Sequence, residues 1–236
     1  MRKHSRNIFI LCIPHFYNVA LKTYLKDTYP GYGVHWVGNK SILRGALDEL
    51  EPSLLILPGS GDLDRDLPKS AFPAVEKYLA GGGNLLAICA GMYPCFDNAL
   101  VRGIDGTLRG NSPDRMGLFE CSVEFIERPD EHEPKSARNM DARDAVLDVF
   151  YFNGPYVVPY GIRHLPERQF DLRKIENAGM TPLLWAVRDD GKKAVQITLA
   201  AQKLPGGGYA VVSTNHLETP FEMMLASYKA EIAATV

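Results

Sequence analysis

Long apolar runs are missing from this chain, and so is a surplus of charge of either sign. No stretch approaches the roughly 18 uninterrupted apolar residues of a membrane helix, so no membrane span is expected. Lys and Arg number 26 against 28 Asp and Glu, for a formal net charge of −2. No global electrostatic argument therefore points to nucleic acid or an anionic membrane. Cysteine is scarce too: Cys12, Cys89, Cys95 and Cys121 are too few to staple 236 residues, and three of them lie within or beside apolar runs. Reduced thiols in a cytoplasmic protein are the expectation. No Cys/His cluster has the spacing of a zinc site. The phosphate-loop pattern G-x-x-x-x-G-K-[ST] is also absent, and Gly81-Gly82-Gly83 precedes a strand-like run rather than a helix. No metal or cofactor is expected. The basic "MRKHSR" leads into "NIFILCIP", which stops at Pro14 without a small-residue cleavage pattern, and so reads as a first core strand rather than a signal peptide.

What is present is 46% hydrophobic residues, enough for a substantial core. The first half alternates strands and helices. "NIFILCI", "YGVHWVG", "SLLIL" and "NLLAICA" read as strands, and "NVALKTYLKDT", "SILRGALDEL" and "SAFPAVEKYLA" as helices between them. That order predicts right-handed crossovers, a parallel sheet with helices on both faces, and a site at the carboxyl ends of the strands. In the second half, "GLFECSVEFIE" and "AVLDVFYFNGPYVV" are strand-like. "PLLWAVRDDGKKAVQITLAAQ" reads as a hairpin, "YAVV" as a last core strand and "FEMMLASYKAEIAA" as a closing helix. The charged, proline-containing stretch 127–144 reads as a solvated loop or insertion.

Cys89 ends one apolar run and is followed by Ala90-Gly91. A cysteine leaving a strand for a helix meets backbone N–H groups and the positive end of the helix dipole, which favour thiolate over thiol. Ala87, Ala90 and Gly91 give A-x-C-x-G, a relative of the small-x-nucleophile-x-small elbow. On local pattern alone, a buried structural cysteine stands equally open. His216 follows "YAVV" and also lies beyond a strand's end. Glu218 is two residues on, where an extended chain would turn it to the same side and let it orient the imidazole. A surface His and Glu in a loop is the plainer alternative. His15 follows Pro14 at the first strand's end and would line the same cleft. In "LPGSGD", the N–H groups around Gly59, Ser60 and Gly61, with that of Ala90, would form an oxyanion hole.

The segments "LLILPGSGDLD", "YLAGGGNLLAICAGMY", "YFNGP" and "VVSTNHLE" together resemble the class I glutamine amidotransferase-like superfamily. Within it they are most similar to the domain at the N-terminus of certain biotin–protein ligases and its free-standing relatives. The resemblance implies a flavodoxin-like three-layer α/β sandwich with a mostly parallel central sheet, in one domain over residues 1–236. It also implies a Cys89–His216–Glu218 triad, with Gly59, Ser60, Gly61 and Ala90 around the oxyanion. Asn153 and Gly154 of "YFNGP" would line the pocket with Tyr93 and His15, although a turn glycine beside a packed aromatic is the plainer account. Glutamine-using members read G-x-C-x-G-x-Q at the elbow, where this chain has Ala87 and Tyr93. That departure argues against glutamine as the substrate.

The leading expectation is a cysteine hydrolase or amidotransferase-like enzyme acting on a small-molecule amide or related acyl group. A separate synthetase or ligase subunit would be its protein partner. A non-catalytic metabolite- or protein-binding module on the same scaffold is the second reading. The third is a thiol redox or glyoxalase-like protein. Its relatives set an early carboxylate against the thiol, whereas "CIPHFYN" offers His15 and no acid.

Overall fold

The computed structural model describes residues 5–13, 15–59, 66–102, 108–111, 115–126, 135–151, 156–158, 179–187, 190–216 and 219–235. Its first half is built from β1 (Ser5–Leu11), α1 (Phe16–Thr28), β2 (Gly33–Val37), α2 (Asn39–Leu43), α3 (Ala46–Leu50), β3 (Pro52–Leu57), α4 (Phe72–Ala80) and β4 (Leu85–Ile88). The strands pair in parallel, β2-β1-β3-β4, and β13 (Tyr209–Ser213) continues the parallel run beyond β4.

Why the early strands read as unbroken apolar runs follows from their two buried faces. Phe9, Leu11, Leu55, Leu57, Leu85 and Ala87 share one core cluster with Ile42, Leu47, Val75 and Leu79 from α2, α3 and α4. The alternate residues Ile8, Ile10, Ile56 and Ile88 pack with Leu21 and Leu25 of α1, joined by Cys89 where the strand conformation has ended. Period-two alternation thus sends successive side chains to opposite helical layers. At the amino ends of β3 and β4, the buried Tyr78 hydroxyl lies 3.1 Å from Pro52 O and 3.0 Å from Asn84 O, and accepts the Asn84 N–H at 3.1 Å.

Beyond β13 the sheet turns antiparallel through β12 (Lys193–Lys203), β10 (Tyr156–Val158) and β7 (Phe119–Ile126), then adds β5 (Phe96–Arg102) parallel to β7 and β6 (Leu108–Asn111) antiparallel to β5. A branch leaves β12 through β11 (Thr181–Val187) to β8 (Lys135–Asp141) and β9 (Val146–Tyr151). The hairpin expected around Asp190-Gly191 joins β11 to β12. Helix α5 (Phe221–Thr235) packs on α1, with Phe16 and Tyr228 rings 5.2 Å apart. No described helix is long and apolar enough to cross a membrane.

Three local expectations are corrected. "SILRGALDEL" is two short helices, because Gly45 at φ 98° interrupts it. Residues 135–141 of the stretch expected as loop form strand β8, paired antiparallel to β9 and β11, with Asn139 and Met140 buried. Residues 127–134 of that stretch lie outside the described residues. Finally, no α-helix follows Cys89. Residues Cys89–Cys95 form a 3-10 turn that contains Pro94 and runs straight into β5. Proline inside a helix removes a donor and clashes with the preceding turn, which stops an α-helix from developing there.

Candidate active site

β4 and β13 lie side by side and point the same way, with Ile88 opposite Ser213. One residue further, Cys89 and Thr214 come level at the carboxyl edge. Two residues beyond Thr214 stands His216, only 1% exposed. On the other flank of β4, β3 ends at Leu57 and leads into the buried Pro58-Gly59, while β1 ends before the half-buried His15. Four neighbouring strands therefore deliver His15, Gly59, Cys89 and His216 to one edge of the sheet.

Cys89 is buried and has φ 52°, in the left-handed region. Ile88 before it is still extended, so the reversal is concentrated at the cysteine. Glu51 and Asp144 are the other non-glycine residues with positive φ among those described, and neither is fully buried. Holding a β-carbon in this conformation costs on the order of 1–3 kcal/mol, and such strain concentrates at functional sites. Gly91 explains part of what enforces it. A β-carbon there would lie 2.0 Å from Leu57 O and 2.7 Å from Pro58 O. The turn after the cysteine is thus pressed against the end of β3, at Leu57 and Pro58 just before Gly59. Ala87, fully buried, pairs with Leu57 on one side and Val212 on the other. The small residues around Cys89 answer to close backbone packing on both flanks.

The helix expected to polarise the thiol is replaced by the 3-10 turn, so an extended helix macrodipole is not available to Cys89. Ala90, half-buried, remains next to the sulfur-bearing residue with its N–H in the elbow. Tyr93 sits in the same turn, half-buried against the core. Burial pushes its phenol well above the ordinary tyrosine range; negative charge on Cys89 adds to this, and the Arg115 guanidinium opposes it. Arg115 Nη1 also donates to Tyr93 O at 2.5 Å, and Met116 N donates to Pro94 O at 2.8 Å, so residues 115–116 brace the turn. Cys95 closes the turn fully buried, its thiol pushed up to about 12 by burial alone. It is a packing thiol.

The His15 ring lies tilted against that of Phe16, with centroids 4.6 Å apart, and the residue precedes α1 in an extended conformation. Glu218, Ser60, Gly61, Asn153 and Gly154, each expected at the site, lie outside the described residues. Arg115 was not foreseen from sequence, nor was a polar network that reaches the His216 segment from β8 and β12. Nothing in their local composition marks those residues. Among the described residues, no three His, Cys, Asp or Glu side chains gather in a way that would hold a metal ion.

Set against solved structures, the chain superposes on one described as a glutamine amidotransferase with a TM-score of 0.56 at 18% identity, covering 98% of this chain and 100% of that one. The fold is class I glutamine amidotransferase-like. A glutamine amidotransferase from Thermotoga maritima matches with a TM-score of 0.51 at 14% identity, over 97% of this chain and 84% of that one. A protein from Thermoplasma acidophilum, described as one component of a putative GMP synthase, gives 0.51 at 12% identity, over 99% of each chain. No family profile and no curated protein matched the sequence. The resemblance read from sequence therefore holds at the level of this amidotransferase-like scaffold, an α/β fold with a mixed central sheet.

Proposed function

We propose that the protein is a cysteine-dependent, amidotransferase-like hydrolase acting on an amide or related acyl group through Cys89, His216 and Glu218. One observation carries the reading. A buried cysteine is held at φ 52° at the end of a central strand, beside a parallel strand that ends just before a buried histidine. A structural cysteine has no need of that strain. In the proposed reaction His216 takes the Cys89 proton as sulfur attacks the acyl carbon, and then gives it to the departing amine. Water next attacks the thioester; His216 accepts its proton and returns it to sulfur. Glu218 orients the imidazole, and N–H groups around Gly59–Gly61 and at Ala90 hold the oxyanion.

The motif resemblance to the biotin–protein ligase N-terminal domain supports a substrate other than glutamine, as does Tyr93 in place of the usual Gln. The likeness to a protein described as part of a GMP synthase supports a separate synthetase-type partner, which would accept any released amine. Tyr93 also favours a second reading, a binding module on the same scaffold, because its side chain packs against the core where the related enzymes carry the Gln, close enough to Cys89 for the two to interact electrostatically.

Iodoacetamide labelling located by mass spectrometry, together with hydrolysis of a panel of primary and secondary amides, separates the two readings. Cys89 is expected to label faster at neutral pH than the exposed Cys12. Cys89→Ser and His216→Ala are each expected to lower amide hydrolysis by at least about a hundredfold. Labelling of Cys89 no faster than Cys12, with no hydrolysis in the wild type, would instead assign the binding module.

A further inference from the structure

We propose that Asn139 is a positioning residue for His216; the inference rests on reading His216 as the base. Asn139 lies in β8 and is 1% exposed. Its Oδ1 accepts a hydrogen bond from the Thr198 hydroxyl and another, at 3.0 Å, from Nδ2 of Asn215, the residue immediately before His216. The Ser213 hydroxyl donates to Asn215 O at 2.5 Å, and Thr214 N donates to Thr198 O at 2.8 Å. Ser213, Thr214, Asn215 and His216 are each no more than 1% exposed.

Four consecutive buried polar residues are an expensive way to leave a strand. Each buried polar group costs free energy unless it is hydrogen-bonded, and apolar side chains would fill the same space without that liability. What such a network supplies is one defined geometry. The parallel ladder that fixes β13 stops at Ser213, and the three side chains of Asn139, Thr198 and Asn215 take over from there. Asn139 is 76 residues from Asn215 in sequence, so the bond links separate parts of the chain rather than shaping a local turn. A catalytic side chain must be held within roughly 0.5 Å of its productive position by groups of this kind. In this arrangement Asn139 meets the residue that carries the base's backbone, and therefore acts through His216.

The test uses full-length protein with isotope-labelled histidine and follows two readouts: the His216 ring resonances, and the pH–rate profile of Cys89 alkylation by iodoacetamide. Asn139→Ala is expected to broaden or shift the His216 signals and to slow Cys89 alkylation at neutral pH by about tenfold. Thr198→Val, which keeps shape and removes the hydroxyl, moves both readouts in the same direction, and Thr198→Ser restores them. Val75→Ala, in the core of α4, serves as a stability control and lowers the melting temperature without changing either readout. Unchanged ring signals and alkylation in Asn139→Ala and Thr198→Val would overturn the assignment, as would an equal response from Val75→Ala. If Asn139→Ala does not fold, the Thr198→Val and Thr198→Ser pair decides. Should His216→Ala leave Cys89 alkylation untouched, the base reading fails, while the ring signals still report whether Asn139 positions the histidine.

Discussion

Cys89 combines two properties that work against each other: a side chain buried in the α1-facing core and a backbone in the left-handed region. Replacing it separates them. Cys89→Ala keeps the β-carbon and hence the strain, whereas Cys89→Gly releases it. The left-handed conformation costs a residue with a β-carbon about 1–2 kcal/mol, part of which glycine gives back through its greater freedom in the unfolded chain. Cys89→Gly should therefore be more stable than Cys89→Ala by about 1 kcal/mol in urea unfolding, although it removes more side chain. Equal midpoints for the two variants would mean that the elbow stores no strain, and the case for Cys89 as a nucleophile would lose its main support.

At the scale of elements, two glycines in the first half, Gly45 and Gly91, make a paired test. Gly45 separates α2 from α3 at φ 98°, yet a β-carbon there would meet only Glu49 Oε1 at 3.9 Å. Gly91 has the opposite problem, since its β-carbon would strike the Leu57 carbonyl at 2.0 Å. Gly45→Ala should cost about 1–2 kcal/mol through backbone conformation and leave Cys89 labelling intact. Gly91→Ala should cost about 3 kcal/mol or more through overpacking and also change Cys89 reactivity, because β3 and the elbow must part. Thermal melts with labelling of both variants check this; similar losses with unchanged labelling would remove Gly91 from the elbow's support. The same elements show how far sequence carries. β1 to β4 and the position of Cys89 were legible because strands buried on both faces leave continuous apolar runs. The pairing of β13 with β4, which brings His216 to Cys89's edge, was open to inference from the apolar "YAVV" and the polar turn after it. Strand β8 was hidden, since Lys135, Arg138 and Asp141 give it the charge of a loop while Asn139 is turned into the protein. The 3-10 turn was hidden as well: Cys89-Ala90-Gly91 reads as a helix start, and a single proline, Pro94, decides otherwise.

Across the whole molecule the sheet divides its labour between its two ends. Tyr78 ties α4 to the amino ends of β3 and β4, while Tyr93 and Cys95 fill the turn at the carboxyl edge beside the candidate site. All three are acids that burial holds in the neutral form: the Cys95 thiol rises from 9.0 to about 12, and both phenols are pushed above their ordinary 10.0. Between about pH 9 and 12 the folded chain keeps the Cys95 proton while the unfolded chain gives it up, and the phenols extend the same imbalance from about pH 10 upward. Fewer protons on the unfolded state mean that stability falls as pH rises, by at most about 1.4 kcal/mol per pH unit for each group. Urea midpoints measured from pH 8 to pH 11 should therefore stay level to about pH 9 and drop progressively above it. Cys95→Ala should start lower at pH 8 because it leaves a small cavity, yet lose less of its remaining stability on the way to pH 11. Tyr78→Phe should flatten the upper part of the curve in the same way, with Cys89 labelling unaltered because Tyr78 works at the far end of the strands. A Cys95→Ala curve parallel to the wild type would mean that the thiol ionises as freely in the folded protein as outside it, and that the turn beneath the site is open to water.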